Sequence, residues 1–260
     1  MVDGHIHIEQ GDYTLEWIER FVNRAVETGL EEIGLLEHCY RFREFVPMYA
    51  QLCAGGGYVN TWFQSRAGVH GMDEYLRLME QVRKAAFPVR IRFGLEVCYF
   101  EGQEDFVKAQ TKELGLDFLL GSVHFVDNFA FDHTPELWRG RNVDEIYRRY
   151  YETSISLAKC GVFDGIGHPD TIKLFGHRAS FPLTEYYERL AQALSESGMY
   201  ADQNSGAARR HPETASLGID EEFLRILKKH QVPFVTSSDA HCPEDVGDRI
   251  KELEERIRNA

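Results

Sequence analysis

The sequence has few cysteines, and none are spaced for pairing. Cys39, Cys53, Cys98, Cys160 and Cys242 are odd in number and scattered, with no Cys-x-x-Cys. That argues against a disulfide framework and for a reducing cytoplasm. No run of eighteen or more apolar residues exists, and no basic-then-apolar leader precedes residue 20, so neither a membrane span nor a signal peptide is expected. Positive charge is also scarce. With 29 Lys and Arg against 42 Asp and Glu, the formal net charge of −13 offers no sequence-wide attraction for nucleic acid. It also opposes a polyanionic substrate unless bound metal reverses the sign locally. No composition break or low-complexity linker divides the chain, so residues 1–260 read as one domain.

What is present is a regular alternation of strand and helix patterns. A strand over Val2–Ile8 precedes a helix over Thr14–Thr28, where Leu15, Ile18, Phe21, Val22 and Ala25 form one apolar stripe, Thr14 is the N-cap and Gly29 the stop. A strand "EEIGLLEH" ends at His38, and residues 39–72 follow without a clean period, reading as a long insertion that shapes a binding site. Then come a helix near 73–86, the strand "VRIRFGLEV", a helix near 104–114, the strand "DFLLGSVH" and a helix near 143–159. The strand "VFDGIGH", a helix near 184–197, the strand "MYADQNS", a helix from Asp220, the strand "PFVTSSDAH" and a helix from about Pro243 complete the series. Seven strand–helix units imply a parallel sheet, since parallel strands need crossovers. No Gly-x-Gly-x-x-Gly follows any strand, so a dinucleotide fold lacks its signature. The expected fold is an α/β barrel of the (β/α)8 kind, one unit short.

In such a barrel chemistry sits at the carboxyl ends of the strands. Those ends carry His5 and His7, then His38, Glu96, His124, His168, Asn204, and Asp239 with His241. Alternation puts His5/His7 and Asp239/His241 on shared sides. Each histidine taken alone reads as an ordinary hydrogen-bonded core residue, but Glu96 within "FGLEVCYF" is costly to bury unpaired. A shared cation accounts for Glu96, as a partner arginine also would, and bound metal accounts for the whole rim. Mixed imidazole and carboxylate ligands suit zinc, manganese or iron better than calcium or magnesium alone, and there are more of them than one tetrahedral ion needs. After strand six, "NSGAARR" offers backbone N–H groups at Ser205 and Gly206 together with Arg209 and Arg210; a guanidinium fork suits phosphate. His177 and Arg178, in the loop after strand five, read first as surface loop residues, although they could reach the same mouth. Cys39, Cys98 and Cys242 read as small buried fillers, and His70, His133, His211 and His230 as surface residues.

"DGHIH", "EH", "GLEV", "SVHF", "GH" and "SDAH" follow in the motif order of the PHP (polymerase and histidinol phosphatase) superfamily, which the chain resembles over nearly its whole length. With "NSG…R" and "SDAHCPEDVG" it is most similar to the monofunctional histidinol-phosphate phosphatases. The resemblance implies a distorted (β/α)7 barrel with two or three divalent metal ions. Carried over by position, His5, His7, Glu96 and Asp239 resemble the ligands of one metal. Glu96, as a bridge, joins His124 and His168 at a second, and His38 and His241 resemble ligands of a third. Catalysis is then expected to depend on Glu96, Asp239 and His168. Three-metal relatives carry another histidine shortly after the first motif; here that turn is "IEQGDY", leaving Glu9 or a water for the third site. The arginine of the "NSG" segment is offset by one residue, leaving Arg209 and Arg210 both open.

The implied activity is hydrolysis of a small phosphomonoester, L-histidinol phosphate above others, by a hydroxide bridging two metal ions. Three alternatives stand beside it: a phosphoesterase for another small ester, an amidohydrolase-type enzyme, and a non-catalytic PHP module. Amidohydrolases bridge their metals with a mid-barrel lysine, whereas the strand ends here supply Glu96 and His124. Oligomeric state is not legible in the sequence.

Overall fold

Strands β1 (Val2–His7), β2 (Glu32–Leu36), β3 (Arg90–Cys98) and β4 (Phe118–Ser122) open the chain's sheet, and a two-stranded hairpin, β5 (Phe125–Val126) with β6 (Phe129–Ala130), follows. Strands β7 (Gly165–Ile166), β8 (Tyr200–Asn204) and β9 (Phe234–Ser237) complete it. A computed structural model describes all residues, 1–260. The seven-stranded sheet has the order β1-β2-β3-β4-β7-β8-β9, and every neighbouring pair is parallel. It nearly closes on itself: Ile6 bridges Ala240 in parallel register, and His7 N–H donates to the Ala240 carbonyl at 2.8 Å. The (β/α)7 barrel expected from the alternation is therefore present.

Helices α1 (Leu15–Thr28), α2 (Ala50–Ala54), α3 (Gly57–Arg66), α4 (Met72–Lys84) and α5 (Glu104–Thr111) precede β4. They are followed by α6 (Val143–Lys159), α7 (Thr184–Ser197), α8 (Gly206–Arg210), α9 (Glu221–Lys229) and α10 (Ile250–Asn259). In α1 the buried face is Ile18, Phe21, Val22 and Ala25, Thr14 Oγ1 accepts from Trp17 N–H, and Gly29 ends the helix at φ 75°. Each large apolar side chain on such a face contributes about 1.5–3 kcal/mol through burial. Gly34 lets β1 and β2 approach, because a Cβ there would lie 2.5 Å from the Gly4 carbonyl oxygen.

Three differences from the sequence reading matter for the site. Strands four, five and seven end early, at Ser122, Ile166 and Ser237, so His124, His168 and Asp239 stand on the turns just beyond them. Two of these turns are left-handed: His168 has φ 29° and Asp239 φ 52°, a conformation that side chains with a Cβ adopt only when their surroundings hold it. The insertion is not a loop but two 3-10 turns with α2 and α3, joined through Gly56 and Gly57 at φ 64° and 74°. The last helix begins at Ile250 rather than near Pro243, where a 3-10 turn stands instead.

Candidate metal centre

Glu96 is the hub of the barrel's carboxyl end, and it is 1% exposed. Ser122 Oγ donates to its Oε1 at 2.6 Å, and His124 Nε2 and His168 Nε2 lie 3.2 and 3.0 Å from the same oxygen. Around Oε2 stand His38 Nδ1 at 2.7 Å, His7 Nε2 at 3.5 Å and His5 Nε2 at 3.9 Å. Asp239 Oδ1 faces the other side of the cluster, 3.6 Å from Nε2 of both His5 and His7 and 3.5 Å from His241 Nε2. All eight residues expected at the metal site therefore converge.

Three imidazoles are oriented from behind by carboxylates. His5 Nδ1 contacts Asp202 Oδ2 at 3.0 Å, His124 Nδ1 contacts Asp132 Oδ2 at 2.6 Å, and His241 Nδ1 contacts Glu9 Oε1 at 2.5 Å. Each pair places a proton on Nδ1 and turns Nε2 toward the cluster, where metal would replace the second proton. Glu9 thus occupies the turn where a histidine was missing: its Oε1 meets His241, and a Glu9 carboxylate oxygen also lies within 4.8 Å of donors of His7 and Glu37. Asp202 Oδ2 also accepts the His168 backbone N–H at 3.2 Å, steadying the left-handed turn. Gly206 is needed against this cluster, since a Cβ there would lie 2.7 Å from both Cβ and Oδ2 of Asp239.

The electrostatics make the same point. Burial alone pushes the Glu96 carboxyl up, but His124 and His38 outweigh it and hold the group well below the carboxylate range. Burial likewise opposes charge on His5, yet Asp239 and Asp202 lift it to about 9. His7 is driven well below its ordinary value by burial and by His38, His241 and His5. His5 and His7 face each other through Nε2 atoms 2.9 Å apart, which without metal requires a proton between two lone pairs. Buried His7 Nδ1, His168 Nδ1, Glu9 Oε2 and Glu96 Oε2 lack hydrogen-bond partners. Donors of His7, His38 and His241, of His5, His7 and Glu96, and of His38, Glu96 and His124 each lie within 4.8 Å of one another. This donor set fits divalent cations, which would replace the shared protons.

Beside the cluster opens a cavity of about 330 Å³, lined also by Arg210, Asp132, His133, His211, Tyr40, Tyr49, Trp62 and Phe125. Arg210 Nη2 donates to Asp239 Oδ2 at 2.8 Å. Its neighbour Arg209 does not line the cavity. It donates to the carbonyls of Ser238 and Asp239 at 2.7 and 2.8 Å and pairs with Asp245 at 3.2 Å, tying down the turn that carries Asp239.

Four expectations need correction. Ser205 and Gly206 are not free to bind an anion: their N–H groups donate to the Ser237 carbonyl and to Asn204 Oδ1 at 2.9 and 2.7 Å. Arg209 is committed to the backbone, as above. His177 stacks on Trp138 with ring centres 4.3 Å apart, outside the cavity lining, and its carbonyl accepts from Tyr147. His133 and His211, read as surface residues, line the cavity. Asp132 and Asp202 were not singled out in the sequence. The second is a carboxylate in a buried strand, the same signal that marked Glu96.

A family model described as "PHP domain" matches residues 3–206, and one described as "PHP-associated" matches residues 221–260. Both regions contribute strands to the one barrel sheet. A Deinococcus radiodurans protein named "Probable histidinol-phosphatase" is 27% identical, covering 100% of this chain and 93% of its own length. The Bacillus subtilis "Histidinol-phosphatase" is 24% identical over 94% of this chain and 95% of its own. Among solved structures, a candidate histidinol phosphatase of Listeria monocytogenes superimposes with a TM-score of 0.79 at 20% identity, covering 97% of this chain and 99% of that one. A Lactococcus lactis histidinol phosphate phosphatase, complexed with zinc, L-histidinol and phosphate, gives 0.69 at 17% identity, covering 99% and 92%. These structural likenesses carry the fold. With its model spanning residues 3–206, the PHP-domain family is the one to which this chain belongs.

Proposed function

We propose that this chain is a metal-dependent phosphomonoesterase that hydrolyses L-histidinol phosphate to histidinol and phosphate. The observation that carries the reading is the convergence of five imidazoles on buried Glu96 beside a cavity that Arg210 also lines. The names of relatives aligned along nearly the whole chain support the substrate.

Two ions are the proposed complement: one at His5, His7, Glu96 and Asp239, and one at Glu96, His124 and His168. Zinc is favoured, with manganese and iron compatible with the same donors. His38 and His241, with Glu9 or a water, provide a third, weaker position. Bound ions would supply positive charge for the phosphoryl oxygens and an acidified water. The chain's own groups do the rest. Arg210 presents its guanidinium to phosphate from the cavity wall and holds Asp239 Oδ2, leaving Oδ1 to face the cluster as the donor atom. Asp132, Asp202 and Glu9 keep His124, His5 and His241 in one tautomer. Aromatic walls at Tyr40, Tyr49, Trp62 and Phe125 limit the water that competes for the ester. An amidohydrolase reading is disfavoured further, since the buried lysine, Lys173, is spent on Asp170 and Tyr187 at 3.0 Å each. Five free cysteines suit a role in histidine biosynthesis within a reducing cytoplasm.

Metal analysis of purified protein, coupled to a phosphoester panel, tests the proposal. About two metals per chain and the highest kcat/KM on histidinol phosphate are expected; less than one metal, or no phosphate release from any ester, would sink it. Metal binding should also be proton-linked. In the metal-free site His5 and His241 carry pKa values raised to about 9 and 10, so both are protonated at neutral pH and each must lose a proton to ligate. Affinity should therefore rise with pH up to that range and fall as pH drops from 8 to 6. Titration calorimetry in buffers of different ionisation enthalpy should register proton release; binding heats independent of buffer would contradict it.

A further inference from the structure

The insertion supplies one feature that the phosphatase chemistry does not use. Trp17 and Trp138 donate their indole N–H groups to the carbonyls of Ile8 and Phe131, each at 2.8 Å. Trp62, on α3, has no protein acceptor for its indole N–H, and its ring lines the cavity. Its ring centre is 4.5 Å from that of His133, tilted by 52°, and 5.0 Å from that of Tyr40. Phe125 closes the same wall, 5.6 Å from His133. His133 makes no hydrogen bond to another residue through its ring, and its nearest charged neighbour is Asp132 Oδ1 at 3.9 Å.

This wall is separated from the metal cluster by a single ring. Tyr40 stacks on His38 with centres 5.0 Å apart and meets Trp62 edge-on at the same separation. A substrate whose phosphate sits at Arg210 and the cluster would thus meet the Trp62–His133 wall after a short spacer. Histidinol phosphate has such a spacer, an ester oxygen and three carbons between phosphorus and ring.

Resting on the phosphatase reading above, we infer that Trp62 and His133 form the subsite that selects the substrate's imidazole ring. A neutral imidazole offers a flat face, one N–H and one lone pair. The Trp62 indole N–H, in the plane of its ring, supplies a donor for that lone pair, a His133 ring nitrogen accepts the N–H, and the two touching rings form one apolar wall beside the substrate ring. An aliphatic phosphoester would leave both polar nitrogens unpaired in a partly desolvated wall, and that discriminates against it. Specificity for the alcohol half thus comes from the insertion and the post-hairpin loop, not from the metal-bearing turns.

The test compares kcat/KM for histidinol phosphate with kcat/KM for ethanolamine phosphate, which keeps the amine and the ester but lacks the ring. Trp62→Phe retains an apolar ring in the wall and removes the N–H; the ratio should fall about 3- to 10-fold. Trp62→Ala removes both and should lower it roughly 100-fold, and His133→Ala should fall between them. Metal content and thermal unfolding of each variant show whether the scaffold is intact, and Trp62→Phe remains informative if Trp62→Ala misfolds. A ratio unchanged in Trp62→Phe and His133→Ala overturns the subsite while leaving the phosphatase intact. A wild-type protein that hydrolyses other phosphomonoesters but not histidinol phosphate overturns the reading beneath it.

Discussion

Glu96→Ala should leave a folded protein that binds less than half the wild-type metal and turns over substrate at least about 10³-fold more slowly. The carboxylate is shared by His38, His124 and His168 within 3.2 Å, with His7 and His5 at 3.5 and 3.9 Å. Removing it takes the one anion from the centre of the cluster and leaves imidazoles facing one another. Breaking a buried charge pair from one side costs roughly 3–5 kcal/mol, equivalent to about 10² to 10⁴ in an equilibrium or rate. The cost should fall on metal affinity, because Glu96 is the donor common to both proposed ion positions. Metal stoichiometry after dialysis, with circular dichroism as the control for folding, measures it. Full metal content in Glu96→Ala would refute the bridging role.

Arg210→Ala should raise KM by roughly 10- to 100-fold with a smaller effect on kcat, as expected when a charged hydrogen bond to phosphate is lost from ground and transition states alike. Inorganic phosphate should also become a weaker product inhibitor by a similar factor. Arg209→Ala should behave differently. Its guanidinium binds the Ser238 and Asp239 carbonyls and Asp245, so its loss should loosen the left-handed turn at Asp239 and lower metal affinity and thermal stability. A KM effect in Arg209→Ala equal to that in Arg210→Ala, with metal content unchanged, would reverse the assignment.

The barrel was legible because parallel strands covered on both faces read as apolar runs, and the helices between them carry stripes such as Ile18, Phe21, Val22 and Ala25. The metal-facing residues were legible because charge at the end of an apolar run has few other reasons to be there. The insertion was not. In α3 only Val59 and Phe63 are buried, too few to set a period. Asp132 escaped notice because it follows a hairpin of two-residue strands rather than a barrel strand. Choosing between Arg209 and Arg210 needed coordinates: successive residues on a helical turn point about 100° apart, and nothing in "GAARR" says which one faces the cavity. Trp62 lay beyond reach for a related reason, since its meaning depends on a hydrogen bond it does not make.

The seam between β1 and β9 has a consequence for when the site comes into being. His5 and His7 stand on the first strand of the barrel and Asp239 just beyond the last, yet Asp239 Oδ1 lies 3.6 Å from both imidazoles. A cation held between them would join the first and last strands of the sheet, like a cross-link around the barrel. A nascent chain that has completed β1 through β8 still lacks that cross-link and exposes the edge of β1 that Ile6 later closes against Ala240. Metal capture would thus close the barrel as well as arm the site, and metal removal is expected to loosen the seam at Ile6 and Ala240.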